Sequence, residues 1–222
     1  MRRARETDDE GATEEISTTR LEALSDGVFA VAITLLALNL TVPPVSKEGA
    51  TAYLGAALGK EWPSYLAYAL SFLSILIMWL NHHTIFRLVK RTDHALLLIN
   101  GLLLMVITAI PFATVLLASY LTAPNDIVDT KIAQGVYSGL LLVMATVYSR
   151  LWAYASHKNR LLDANADQTT AKNISKQYRF GPFVYAVAMT TDIVSPYLSL
   201  ALCIILAVFF ALPNSVTRAL ER

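Results

Sequence analysis

RLEALSDGVFAVAITLLALNLTV, residues 20–42, carries charge at Arg20, Glu22 and Asp26 alone. From Gly27 onward it is apolar on every face that a helix can present, whereas a helix on a soluble protein shows an apolar stripe and a polar side. About 20 residues of helix cross the hydrocarbon core of a bilayer, and this stretch has that length. Ser17, Thr18 or Thr19 can cap its start, and Pro43-Pro44 stops it.

Outward from this segment the same kind of block recurs. Spans are expected over about 62–86, 94–121, 131–155, 178–192 and 195–212. Trp62-Pro63 opens the second, with proline suited to a first helical turn. Pro111 sits inside the third, where neighbouring helices compensate for a kink. Tyr148, Trp152 and Tyr154 stand on the fourth where an interfacial belt is expected. The last apolar stretch is broken by Thr190-Thr191-Asp192 and Ser195-Pro196. As one helix it would be about 48 Å long, too long for a core of roughly 30 Å, so it is read as two. Between the first two spans, the segment around Ala52 to Leu58 is too short to cross and reads as a loop or small surface helix. The polar stretch from His157 to Arg179 reads as a linker.

The totals agree with this reading. Of 222 residues, 55% are hydrophobic and 16% charged, against roughly 25% charged in soluble domains. The expectation is an all-α polytopic membrane protein with six transmembrane helices and both termini cytoplasmic. Residues 1–19 read as a disordered cytoplasmic tail, one membrane domain covers 20–213, and a second cytoplasmic tail covers 214–222. Of the 18 Lys and Arg, that topology places all but Lys47, Lys60 and Lys131 inside, as the positive-inside rule requires. No secretory signal opens the chain, because the first apolar stretch comes too late. Cys203 lies alone in an apolar run and reads as a small buried hydrophobe. The formal net charge of +1 gives no reason to expect nucleic acid.

Two features could carry chemistry. Asp26 lies about 9 Å deeper than Arg20 along the first helix, and an acidic group inside a span needs a partner or water. The second helix runs the opposite way and brings Trp79, Asn81, His82 and His83 to the same depth. A polar network of Arg20, Ser25 and Asp26 with Trp79 and one of the histidines is expected. It could staple two helices, admit ions, or relay protons. Neither metal-ligand spacing nor a nucleophile with an assured base is evident, so no metal, cofactor or enzymatic activity is expected. The second feature is a stripe on the first helix. Val31, Leu35 and Leu38 share one face, with Leu24 and Val28 extending it and Thr34 beside it. Periodicity alone favours a packing seam within the monomer. No Gly-rich filter loop lies between spans, and the two halves show no matching broken helices.

The run Arg20-Leu21-Glu22-Ala23-Leu24-Ser25-Asp26, followed by Gly27 to Leu36, resembles the signature of the bacterial TMEM175-family potassium channels: Arg, three residues, an aromatic or leucine, then Ser-Asp. Trp79, His82-His83 and Phe86 fit that family too, as do the length and the six-span plan. The resemblance runs from Arg20 to about Leu212, and its specific motif lies in the first helix. Leu24 stands where many members have phenylalanine. The resemblance implies a potassium-permeable channel in the cell membrane, without a carbonyl filter, built as a homotetramer whose subunits each give a first helix to a central pore. It makes Val31 the innermost constriction, slightly wider than the family's usual isoleucine, and Leu35 and Leu38 the rings outward of it. Thr34 becomes a polar position linked to potassium preference. Arg20, Ser25, Asp26, Trp79 and His82 or His83 become the network bracing the pore helix. Potassium ions, lipid and other copies of the chain are the implied partners. A cation or proton-coupled transporter would differ by a saturable flux requiring a coupling ion, and a non-conducting structural protein by carrying no current.

Overall fold

The computed structural model of the chain describes residues 18–43, 53–121, 127–163 and 168–211. Apart from Thr18 and Thr19, the tails expected at 1–19 and 214–222 lie outside them. Among the described residues there are seven α-helices: α1 (Thr18–Ala37), α2 (Tyr53–Lys60), α3 (Trp62–Leu88), α4 (His94–Tyr120), α5 (Ile127–Ser156), α6 (Gln168–Thr191) and α7 (Pro196–Ala211). A single 3-10 turn, His157–Asn159, follows α5.

The all-α class holds, but the count of six spans does not. Among the described residues, three helices are long and apolar enough to cross a membrane: Trp62–Leu88, His94–Tyr120 and the segment Ile127–Asn159. The others fall short for separate reasons. α1 has 20 residues but carries Arg20, Glu22 and Asp26 among them. α7 has 16 residues, about 24 Å of helix against a core of roughly 30 Å. α6 has Lys172, Lys176 and Arg179 in its first half. Without six such segments, the even parity that put both termini on the cytoplasmic side is lost.

Local signals explain the helix ends. Pro63 sits in the first turn of α3. Asp93 caps α4, its carboxylate accepting from the Leu96 amide at 2.9 Å. Pro111 lies within α4, and Pro196 opens α7. α6 begins well before the apolar block, inside the stretch that reads as a linker. Its early turns are amphipathic: Ala171 and Ile174 are buried, and Trp152 donates its indole N–H to Ser175 Oγ at 2.8 Å.

The helices pack around α4 and α5, which form the most extensive pair. α1 lies against α3 and α4, α6 against α5 and α7, and α7 also touches α3. The core runs through Phe29, Ile75, Ile107, Tyr137 and Trp152. Buried hydroxyls are satisfied inside it: Thr114 donates to Ser71 at 2.7 Å, and Ser71 shares a 3.0 Å hydrogen bond with Tyr137. At one end the α3–α4 connection pairs with the segment after α5, the Lys90 amide donating to Leu161 O and the Asp163 amide to Leu88 O, each at 2.9 Å.

Candidate functional site

α1 has two unlike faces. Leu21, Ser25, Phe29, Ala32 and Leu36 are buried, spaced as one helical stripe against α3 and α4. The opposite face is open: Leu24 is 60% exposed, Val31 55%, Leu35 39% and Leu38 79%, with Gly27 and Thr34 also exposed. Val31, Leu35 and Leu38 therefore do not belong to the core of the monomer. The helix stops at Ala37, short of the expected Val42. Leu38 lies in the closing turn, its amide donating to Leu35 O at 3.2 Å. Asn39 Nδ2 donates to Pro111 O at 3.2 Å and ties this end of α1 to the proline of α4. The Thr34 hydroxyl donates back to Val31 O at 2.8 Å.

At the other end of α1, the polar residues fall into two separate sets. In the first, Ser25 Oγ donates to Leu21 O at 2.8 Å and accepts from Asn100 Nδ2 at 3.0 Å. Asn100 Oδ1 lies 3.0 Å from His82 Nε2. An amide oxygen only accepts, so His82 carries its proton on Nε2 and donates there. The His82 ring is buried, stacked on Phe86 at 4.4 Å and edge-on to Phe29 at 5.5 Å. Three helices thus meet in one closed chain of hydrogen bonds. In the second set, Trp79 Nε1 donates to Asp26 Oδ1 at 2.9 Å, and the indole stacks on His83 at 6.1 Å. Asp26 is exposed, at this end of the open face.

His82, rather than His83, makes the buried contact. Arg20 is exposed and among the described residues has no ion pair with Asp26. Asn100 escaped the sequence reading, although it is the one polar side chain in the run Leu96 to Leu104, and a polar group in such a run needs a partner. Among the described residues, no three or more His, Cys, Asp or Glu gather as a metal would need.

The family described as "Endosomal/lysosomal potassium channel TMEM175" matches residues 20–111, the part of the chain that holds the open face and both polar sets. A potassium channel of Chamaesiphon minutus is 50% identical over 204 residues, covering 92% of this chain and 98% of its own length. One from Streptomyces collinus is 40% identical over 191 residues, covering 86% and 90%. The crystal structure of a lysosomal potassium-selective channel TMEM175 homolog from Chamaesiphon minutus superposes with a TM-score of 0.78 at 48% identity, over 88% of this chain and 96% of that one. With this coverage, the chain is a multi-pass membrane protein that belongs to the TMEM175 potassium-channel family.

Proposed function

We propose that this chain conducts potassium as a homotetramer, with α1 of each copy facing the conduction path and Val31, Leu35 and Leu38 forming apolar rings along it. The observation that carries this reading is the open face of α1. In a membrane protein, a helix with one face packed and the other lined by Leu24, Val31 and Leu35 leaves that second face for lipid or for other copies. The charged residues of α1 favour the second choice. A helix beside an aqueous path tolerates Arg20, Glu22 and Asp26, whereas lipid does not. Closed cyclic symmetry turns one such face into a ring.

The physics of the ring follows. Aliphatic side chains around a narrow path gate by dewetting. An ion passing them sheds water, and sodium, the more tightly hydrated ion, is held back more than potassium. Thr34, beside the rings, offers its hydroxyl oxygen as a lone polar contact. Asp26 concentrates cations at the mouth, while Ser25, Asn100 and His82 hold α1 at a fixed angle to α3 and α4.

Potassium flux and reversal potentials in liposomes test the proposal. Val31→Ala and Leu35→Ala widen the apolar ring, so conduction should rise and the reversal potential should shift toward sodium. Leu35→Asn wets the ring and acts in the same direction. If these variants keep wild-type conduction and selectivity while only their stability falls, α1 does not line the path. Asp26→Asn keeps the oxygen that Trp79 binds and removes the charge. It should lower conductance with the oligomer intact, and wild-type conductance would remove Asp26 from ion entry.

A further inference from the structure

A groove of about 380 Å³ opens where α4, α5 and the turn after α5 meet, lined by Ile99, Arg150, Ala153, Tyr154, His157 and Arg160. α5 has 30 residues, about 45 Å of helix against a hydrocarbon core of roughly 30 Å. The excess length brings one end of it to the headgroup level, and Arg150, Lys158 and Arg160 mark its last turns as that end. The chain reverses just beyond them, with Lys158 and Asn159 at positive φ, and this reversal returns Arg160 to the helix. Asp93 Oδ2 accepts from Arg160 Nη2 at 2.6 Å and from the Tyr154 hydroxyl at 2.7 Å. The Arg160 guanidinium lies 5.1 Å from the centre of the Tyr154 ring. Arg160 is thus fixed at the rim, and Asp93 offsets one of the two arginine charges. Arg150 and His157 have no carboxylate partner among the described residues.

Below this cationic rim the surface turns apolar. Val143 lies two turns before Arg150 on the same face of α5 and is exposed, as are Leu98 and Leu102 beside Ile99 on α4. We infer that the groove is a binding site for an anionic phospholipid, with the phosphate held between Arg150, His157 and Arg160 and the acyl chains lying along Ile99, Leu102 and Val143. Basic pockets between membrane helices hold acidic headgroups in this way. A free phosphate shares the headgroup chemistry, but it would leave the apolar wall uncovered. The net positive rim prefers a lipid whose headgroup carries no compensating cation. The site stands whichever helix lines the conduction path.

The test is native mass spectrometry of the full-length protein after exchange into phosphatidylglycerol or phosphatidylcholine, with the oligomer's size checked in parallel. The wild type should retain phosphatidylglycerol in preference to phosphatidylcholine. Arg150→Gln should weaken that retention about five-fold, the worth of one arginine near a charged lipid surface, and leave phosphatidylcholine unaffected. Arg150→Lys should keep most of it. Should Arg150→Gln alter the oligomer, His157→Gln at its exposed position carries the same test with a smaller expected loss. Equal retention of the two lipids, or phosphatidylglycerol binding unchanged in these variants, overturns the site. Displacement of phosphatidylglycerol by millimolar inorganic phosphate overturns the lipid assignment.

Discussion

Asn100 links three helices, since it donates to Ser25 of α1 and pairs with His82 of α3 from its own place on α4. All three residues are buried, and a buried polar group left without its partner costs about 1–3 kcal/mol. Asn100→Ala strands His82 and should lower the thermal stability of the detergent-solubilised protein by at least that much. No change on melting would mean that this chain of bonds does not hold α1 in place. Neighbouring leucines make a second contrast. Leu36 is fully buried, and Leu36→Ala should cost about 2–5 kcal/mol. Leu35 is on the open face, so Leu35→Ala should cost much less. Equal losses in the same melting assay would place Leu35 in a packed core and contradict its exposure.

At the scale of elements, Asp93 does several jobs at once. It caps α4 through the Leu96 amide and binds Tyr154 and Arg160 from the next hairpin. Partial burial pushes its carboxyl up, but the Tyr154 hydroxyl, the backbone amides and Arg160 outweigh that and hold it below the ordinary aspartate value. A carboxyl depressed in the folded state contributes stability above its unfolded value and loses it as pH falls through the folded one. The contribution of Asp93 should therefore be full at neutral pH and disappear only below the usual aspartate range. Melts of wild type and Asp93→Asn at stepwise lower pH check this: the two curves should converge in acid, and a constant gap would refute the linkage. α6 makes a different point at the same scale. Its first turns look like a linker because Lys172, Lys176 and Arg179 dominate the composition, while Ala171 and Ile174 carry the buried stripe.

For the whole molecule, the surface is the reverse of a soluble protein's. Leu98, Met105, Phe112, Ile132 and Ile205 are exposed while Ser71, Asn100, Thr114, Gln134 and Ser138 are buried, as a hydrocarbon surround dictates. Some of that exposed surface belongs to lipid, and the face of α1 belongs, on the proposed reading, to other copies. Size measurement of the detergent-solubilised protein should then give four copies per particle. A particle of one chain would leave α1 without the ring that conduction needs. Val31→Ala, which acts within the path, should not alter that size.

The sequence determined the all-α membrane character, because long runs without charge admit no other surround for their side chains. It determined the proline-marked helix starts at α3 and α7, because proline tolerates few other places. It also carried the family motif from Arg20 to Asp26, since those residue types recur at fixed spacing. Only the tertiary structure decided which histidine turns inward, because adjacent residues on a helix differ by about 100° and packing against Phe29 and Phe86 selects His82. It decided that Asn100 completes the chain from Ser25 to His82, a contact between residues far apart in sequence. It decided that Val31, Leu35 and Leu38 face away from the core, because helical period groups residues on a face without saying what that face meets. Among the described residues it also reduced the segments long and apolar enough to cross a membrane from six to three, because Arg20, Glu22 and Asp26 fall inside the 20 residues of α1 and α7 has 16 residues.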